Sequence, residues 1–235
     1  MVEKEGVLFE SNQLLVVQKP AGIITEANPF EANNLEANFN AYLKQKINDP
    51  YLGFVHRLDR VTSGVVIFAK KRGTLKTLNR WFEERQIQKT YWAITSKAPE
   101  KTNDTLTHYL LTDSKSKKAL VVDPKVKGAK KAELSYKVLS SVNDHYLLEI
   151  KPKTGRFHQI RAQLSHIGCH IIGDEKYGST VPYQKLQIAL HARAIELPKS
   201  INGSPLTFEA PPPANDIWRI FLADNFAPFL SILRL

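Results

Sequence analysis

The chain contains 235 residues, with 33 Lys and Arg against 23 Asp and Glu, and carries a formal net charge of +10. A hydrophobic fraction of 43% with 24% charged residues is typical of globular proteins and excludes a disordered chain. The single Cys169 excludes an internal disulfide, and no apolar run reaches the roughly 18 residues that a membrane span needs. The N-terminal residues lack the apolar core of a signal peptide, so we expect a cytoplasmic protein.

Apolar runs, alternation and turn residues divide the chain into strands and helices. In chain order the pattern predicts strand 14–20, helix 33–47, strand 64–70, helix 75–86, strands 89–95, 106–111, 118–123, 133–140 and 145–151, helix 157–167, strands 187–197 and 206–210, and helix 216–226. Thr74 is placed to cap the second helix, and Gly168 to end the third. Because the strands do not alternate regularly with helices, we expect an α+β fold with a mixed, mostly antiparallel sheet and flanking helices.

We expect a single domain over 1–235, with an N-terminal arm at 1–10 and a helical tail at 212–235. The apolar end of that tail, residues 226–235, is expected to pack on the domain or to make an oligomer contact. The sequence contains neither GxGxxG nor GxxxxGK[ST], the glycine-rich loops that cradle phosphates, so it does not predict a nucleotide-binding domain.

The positive charge is concentrated in two segments, 70–90 and 113–137, and each has a net charge of +5. Clustered bases suit a polyanion, because each Lys or Arg brought to a phosphate releases counterions. The second segment is equally consistent with a solvated lysine-rich loop. A membrane surface is a less suitable partner, since neither segment has the pattern of a basic helix with an apolar face.

The first candidate site is the segment HRLDRVTSG at 56–64, which immediately precedes the predicted buried strand. It brings His56, Arg57, Asp59 and Arg60 into one short connection, and charged clusters on connections are more often functional than structural. The alternative is an Arg–Asp pair that only fixes the loop.

The second candidate site is KTGRFHQIRAQL at 153–164, where Gly155 precedes a predicted helix. Helical spacing places His158, Arg161 and Ser165 on one face. A buried Arg161 needs a carboxylate partner, and Asp59 is an attractive one because the pairing would keep that carboxylate ionised.

Several other residue groups are weaker candidates. Tyr91 lies on a predicted strand, where a lone Tyr usually packs in the core or on the surface. The cluster of His166, Cys169 and His170 matches no standard zinc spacing. Asp174 and Glu175 could be the paired carboxylates of a glycoside hydrolase, but adjacent residues rarely face each other as such a pair requires. Ser63, with His56 and Asp59, has the residue types of a hydrolase without the nucleophile-elbow context.

Seven blocks in this order resemble the RluA family of RNA pseudouridine synthases. They are KPAG (19–22), HRLDRVTSG (56–64), KTYWA (89–93), KTGRFHQIRAQL (153–164), IGDEKYG (172–178), LHA (190–192) and LTFEAP (206–211). The match extends over roughly residues 10–212 and is highly specific. The resemblance implies the pseudouridine synthase fold, with a central catalytic cleft, and a reaction in which uridine in RNA is detached from its sugar, rotated and rejoined through C5.

The resemblance also implies roles for individual residues. Asp59 is the essential carboxylate, acting either as nucleophile at C1′ or as base at C2′, and Arg161 pairs with it. Tyr91 stacks on the target base and is the candidate for handling the C5 proton, while Arg57 fills the gap left by the flipped nucleotide. No cofactor and no metal are implied.

We further expect the RNA to contact the residues around this centre: His56, Arg57, Arg60, Thr62, Arg156, His158 and Gln159. The expected partner is rRNA or tRNA, bound by a monomer that carries no S4 domain ahead of the catalytic domain. The alternatives are a non-catalytic RNA-binding module of the same fold and, with less support, a glycoside hydrolase.

Overall fold

The computed structural model describes residues 6–28, 30–198 and 206–225, and the predicted tail segment 226–235 lies outside them. The described strands are β1 Val7–Glu10, β2 Leu14–Lys19, β3 Gly53–Phe54, β4 Ser63–Ala69, β5 Gln88–Thr95, β6 Asn103–Asp113, β7 Lys118–Val122, β8 Lys130–Val142, β9 His145–Pro152, β10 Leu190–Leu197 and β11 Leu206–Glu209. The helices are α1 Leu35–Lys44, α2 Arg72–Glu83, α3 Gln159–His166 and α4 Asp216–Asn225, with a 3-10 helix at Glu175–Tyr177.

All of these strands belong to one sheet with the order β1-β2-β4-β10-β5-β9-β8-β6-β7, while β3 pairs with β4 and β11 with β10. Among the described strands only β4 and β10 pair in parallel. The predicted α+β fold with a mixed, mostly antiparallel sheet is therefore confirmed. None of the helices in the described ranges combines the length and apolarity that crossing a bilayer requires.

The centre of the sheet positions the two strands that carry the predicted site. Strand β4 is buried along its whole length, as its continuous β-branched run predicts, because β2 and β10 flank it. Gly64 has φ +120° and faces Ala192 of β10, whose carbonyl oxygen a side chain at 64 would strike. The glycine thus lets β10 lie between β4 and β5, which brings the loop before β4 close to Tyr91.

Tertiary packing shifts the predicted helix boundaries. The expectation that Thr74 caps the second helix is wrong: α2 begins at Arg72 and has no side-chain cap, and Thr74 is buried inside it. Helix α3 is shorter than predicted, because His158 has φ +48° and a helix cannot continue through that conformation. Gly168, with φ +76°, follows the end of α3 as expected.

The chain ends contribute further to the sheet and its cover. Residues 7–10, expected to be part of an arm, form β1 and pair antiparallel with β2. Helix α4 buries Trp218 and Phe221 in the core beside β8, which agrees with the amphipathic pattern. Strands β1 and β3 and the 3-10 helix were not predicted.

Candidate active site

The two sequence motifs face each other across a cavity of about 320 Å³ between the loop before β4, strand β5 and the start of α3. Nine of the ten predicted site residues line it: His56, Arg57, Asp59, Thr62, Tyr91, Arg156, His158, Gln159 and Arg161. The tenth, Arg60, lies outside the lining and forms an ion pair with Glu31. The fold therefore assembles residues that are about 100 positions apart in the chain, as the Asp59–Arg161 separation of 102 shows.

Asp59 sits on a loop that buried side chains fix on both sides. The Lys19 ammonium is fully buried and donates to the carbonyl oxygens of Arg60 at 3.1 Å, Pro20 at 2.9 Å and Ile23 at 2.7 Å. On the other side, Thr25 Oγ1 donates to the Leu58 carbonyl oxygen at 3.0 Å. Burial lowers the pKa of Lys19 to about 7, and the nearby Asp59 charge opposes that shift. The Asp59 backbone is thus rigidly held.

Arg161 joins two carboxylates inside the protein. Its Nε and Nη2 donate to the two oxygens of Asp174 at 2.7 and 2.8 Å, and its Nη1 donates to Asp59 Oδ2 at 3.1 Å. The side chains of Arg161 and Asp174 are 5% and 1% exposed, whereas Asp59 is 28% exposed. Burial acts to lower the pKa of Arg161, but the hydrogen bonds and charges of Asp174 and Asp59 outweigh it and leave that pKa raised. Asp174 therefore orients the guanidinium that Asp59 uses.

The two oxygens of Asp59 have different surroundings. Oδ2 receives the Arg161 hydrogen bond and lies 3.5 Å from His158 Nε2, while no described residue pairs with Oδ1. One oxygen is thus anchored, and the other is available to a molecule in the cleft. A carboxylate with one anchored and one open oxygen can act, in its ionised form, as a nucleophile or as a base.

Tyr91 enters the same cleft from β5, where it pairs with Ala192 of β10 and Ile150 of β9. Burial raises the pKa of Tyr91, and the charge of Asp59 raises it further, so the phenol stays neutral. The neighbouring Trp92 points to the opposite face of the sheet, where the Arg193 guanidinium lies 4.9 Å from the centre of its ring.

Two of the lining side chains are occupied in holding the protein together. His56 Nε2 accepts a hydrogen bond from the Ile67 backbone N–H at 3.1 Å, and burial lowers its pKa to about 3. Gln159 accepts from Thr154 Oγ1 at 2.7 Å and donates to the Glu133 carbonyl oxygen at 3.0 Å. Their polar atoms therefore brace the walls of the cleft.

The remaining candidates differ in what they offer a ligand. Arg57 has a side chain that is 71% exposed beside Glu26, and the Arg156 Nε donates to the Lys131 carbonyl oxygen at 3.0 Å, so both bases lie at the rim. Thr62 Oγ1 is buried with no hydrogen-bond partner among the described residues. The structure thus places bases at the rim of the cleft and the carboxylate within it.

The structure argues against the other interpretations of the sequence. Within the described ranges no group of three or more His, Cys, Asp and Glu side chains could hold a metal ion. Ser63 pairs with His191 at 2.8 Å, not with His56, and both residues are buried away from the cleft. Asp174 is turned to Arg161 and is not paired with Glu175, so the adjacent carboxylates do not form a glycosidase pair.

Three residues of the site carried no expected role at the sequence level. Lys19 lies in the matched block KPAG without a role assigned. The same holds for Tyr177 in IGDEKYG, whose hydroxyl oxygen lies 2.9 Å from Nδ1 of the cleft residue His158, and Asp174 was considered only as a partner of Glu175. A short apolar strand ending in Lys19 next to Pro20 is the one local signal that could have indicated a buried lysine. The contacts of all three depend on the folded chain.

Comparison with known proteins agrees with this geometry. A family model described as RNA pseudouridylate synthase matches residues 13–166. Ribosomal large subunit pseudouridine synthase C of Rickettsia felis is 35% identical over 89% of this chain and 68% of its own length. Ribosomal large subunit pseudouridine synthase D of Borreliella burgdorferi is 32% identical over 82% of this chain and 60% of its own.

A solved structure shows the same architecture. Human RNA Pseudouridylate Synthase Domain Containing 4 superposes with a TM-score of 0.75, is 25% identical, and the match covers 93% of this chain and 92% of that one. The resemblance found in the sequence is thus confirmed by sequence and by fold. The chain belongs to the RluA-type family of RNA pseudouridine synthases, which are isomerases acting on RNA.

Proposed function

We propose that this chain converts specific uridines of ribosomal RNA to pseudouridine, with Asp59 as the catalytic carboxylate. The observation that carries the proposal is the asymmetry of Asp59: Arg161 anchors Oδ2, and Oδ1 is left open to the cleft. The names of the relatives from Rickettsia felis and Borreliella burgdorferi favour the large ribosomal subunit over tRNA as substrate.

The reaction exchanges one bond of the uridine for another. The bond between N1 and C1′ breaks, the base rotates, C5 bonds to C1′, and the proton at C5 is lost while N1 gains one. In one route Asp59 Oδ1 attacks C1′ as N1 leaves, and C5 then displaces the carboxylate from C1′. In the other, Asp59 removes the proton at C2′ as N1 leaves and returns it to C2′ when C5 bonds to C1′. Both routes need an ionised carboxylate, which the Arg161 guanidinium stabilises. The neutral phenol of Tyr91 stacks on the base and lies on the side where the C5 proton is handled.

The target uridine must leave its stack to reach Asp59. Extruding a base costs a few kcal/mol, which stacking on Tyr91 and phosphate contacts of the rim bases offset. Arg57, exposed at the rim, occupies the gap that the flipped nucleotide leaves. Arg60, ion-paired with Glu31, and Arg156 supply positive charge beside the cleft.

A wider basic surface extends the RNA contact. Its lysines are Lys115, Lys117, Lys118, Lys125, Lys127, Lys130, Lys131 and Lys137. Among the described residues, only Lys131 of these has an ion-pair partner, Glu133. The acids Asp113 and Asp123 accept from the backbone N–H groups of Lys115 and Lys125, and neither forms an ion pair with a lysine of this surface among the described residues. Since Arg156 contacts the Lys131 backbone, this surface adjoins the cleft. We place the protein in the cytoplasm as a monomer that acts through a single catalytic domain.

The test compares pseudouridine maps of cellular RNA from strains that contain the gene, lack it, or carry Asp59→Asn. One or a few rRNA uridines should lose the modification in both altered strains. Asp144→Asn, on an exposed turn, is the matched control and should keep every site. The purified protein should restore the lost sites on RNA from the deletion strain.

Two outcomes would overturn the proposal. If all sites persist in the deletion strain and the purified protein modifies no RNA, the chain is a non-catalytic RNA-binding module. If the lost sites lie in tRNA, the substrate assignment is wrong while the role of Asp59 stands.

A further inference from the structure

A chain of polar contacts leads from strand β7 to the open carboxylate in the cleft. The Ala119 backbone N–H donates to Tyr177 Oη at 2.7 Å, and that oxygen lies 2.9 Å from His158 Nδ1. On the other side of the ring, His158 Nε2 lies 3.5 Å from Asp59 Oδ2. The side chain of His158 is only 9% exposed, and Tyr177 is equally buried.

These contacts determine where the imidazole carries its proton. Burial lowers the pKa of His158 to about 4 and raises that of Tyr177 to about 12, so both groups are neutral near pH 7. Because Tyr177 Oη already accepts the Ala119 N–H, its own proton is free to be donated to His158 Nδ1. The proton of the ring is then on Nε2. The opposite tautomer would turn a nitrogen lone pair towards a carboxylate oxygen.

We infer that His158 and Tyr177 are positioning residues for Asp59: Tyr177 fixes the tautomer, and the Nε2–H of His158 faces Oδ2, the oxygen that accepts from Arg161 Nη1. The Arg161 hydrogen bond at 3.1 Å and the Nε2–H dipole at 3.5 Å, which is longer than a hydrogen bond, together favour the carboxylate orientation that leaves Oδ1 open to the substrate. This inference rests on the proposed role of Asp59 and adds to it a second partner beyond Arg161.

The ring is held where this function needs it. His158 has φ +48°, a left-handed conformation that is unfavourable for a residue with a side chain. Phe157 stacks on the imidazole with ring centres 3.8 Å apart, and Tyr177 meets it edge-on at 5.6 Å. Strain of this kind is found at functional sites, where the surrounding structure enforces it.

Other charged groups face the ring and must be considered in any test. Besides Asp59, these are Asp174 and Arg161 and, from the 3-10 helix, Lys176. Their contributions oppose each other, so the carboxylates and the cations partly cancel at the imidazole.

Substituting Gln or Asn for His158 distinguishes the contact made by Nε2 from the contact made by Nδ1. A Gln side chain can place its N–H near the position of Nε2, while Asn reaches only the position of Nδ1. His158→Gln should therefore keep most of the turnover. His158→Asn should lower the single-turnover rate by up to about 100-fold, the upper limit being the loss of a full hydrogen bond to a charged group. The loss should fall on the single-turnover rate more than on the affinity for RNA, because the missing interaction acts on Asp59.

Tyr177→Phe tests the other end of the chain of contacts. It should reduce the rate less than His158→Asn, since the imidazole keeps its place but not its fixed tautomer. Nitrogen-15 NMR of the seven histidines, with His158→Gln to assign the signal, should show a neutral ring protonated at Nε2 near pH 7 in the wild type. In Tyr177→Phe the signal should shift towards the mixture of tautomers.

Several results would contradict this role of His158 and Tyr177. Equal rates for His158→Asn and the wild type, or a ring protonated at Nδ1 or doubly protonated near pH 7, would overturn it. Equal losses in His158→Gln and His158→Asn, with parallel losses of unfolding midpoint, would mean that His158 is merely structural. Asp59→Asn is measured in parallel. If that variant is active, the proposed function fails. If it is inactive while the His158 variants keep wild-type rates, only the role inferred for His158 fails.

Discussion

The buried ion pair between Arg161 and Asp174 allows stability and turnover to be measured separately. Arg161→Met leaves Asp174 unpaired at 1% exposure, and Asp174→Leu leaves Arg161 with Asp59 alone. Removing one partner of a buried pair costs roughly 3–5 kcal/mol of unfolding free energy. For a chain of 235 residues that corresponds to a melting temperature lower by roughly 6–20 °C.

The double variant Arg161→Met, Asp174→Leu leaves no unpaired charge in the buried part of this cluster, and only the partly exposed Asp59 is without its Arg partner. Replacing a buried pair with apolar residues of similar volume is often close to neutral, so we expect the double variant to be more stable than either single one. Turnover should not return, because Asp59 no longer has its Arg partner. Urea unfolding followed by circular dichroism measures the stability, and single-turnover pseudouridine formation on target RNA measures the reaction.

Either of two results would refute this reasoning. Unfolding free energies that add across the two single variants would mean that Arg161 and Asp174 act independently. Turnover restored in the stable double variant would mean that Asp59 works without a guanidinium, and the role assigned to Arg161 would fall.

Two further predictions concern stability. Gly64→Ala should lower the free energy of unfolding by more than about 2 kcal/mol, because φ +120° is strained for Ala and its side chain would strike the Ala192 backbone. The control Gly73→Ala, in open space in α2, should be neutral or stabilising by up to about 1 kcal/mol. Burial lowers the pKa of His191 to about 4, so the unfolded state binds more protons than the folded state between pH 6.5 and 4. The free energy of unfolding therefore falls as the pH falls through that window, by roughly 3 kcal/mol for this residue. Urea titrations at pH 7 and pH 4 should show that His191→Gln loses part of this dependence, and an unaltered pH dependence would contradict it.

The sequence predicts the strands and the members of the cleft for physical reasons. The run from Val65 to Ala69 is continuously apolar, and a strand that is flanked on both sides and buried requires that pattern. Asp59 and Arg161 stand out because a buried Arg needs a carboxylate, and the observed contact of 3.1 Å between them agrees with that expectation.

Contacts between distant or turned side chains could not be predicted in this way. Lys19 reaches a carbonyl oxygen 41 residues away, and nothing local to it specifies that target. The adjacent Asp174 and Glu175 suggest a pair of carboxylates, but the turn before the 3-10 helix directs Asp174 to Arg161. Thr74 is a good N-cap by propensity and is instead buried, since packing of α2 outweighs capping. His56 belongs to a charged cluster in sequence yet is neutral and hydrogen-bonded to β4.

The last prediction concerns the wider basic surface and the salt dependence of RNA binding. Replacing Lys115, Lys117 and Lys118 with Gln should weaken binding of the target RNA. The plot of log affinity against log salt concentration should become shallower by about 0.7–0.9 for each phosphate that a lysine no longer neutralises. The matched control removes three exposed lysines from outside this surface, Lys44, Lys97 and Lys185, and has the same net charge.

A general effect of net charge would change both triple variants equally, whereas direct phosphate binding by these lysines changes only the first. Binding isotherms from about 50 to 300 mM salt distinguish the two cases. Equal slopes for the wild type and the Lys115, Lys117 and Lys118 variant would show that these side chains are only solvated. RNA binding would then depend on the segment 70–90 and on the bases at the rim of the cleft. Lys89 of that segment and Arg57 of the rim both lie in the cleft lining.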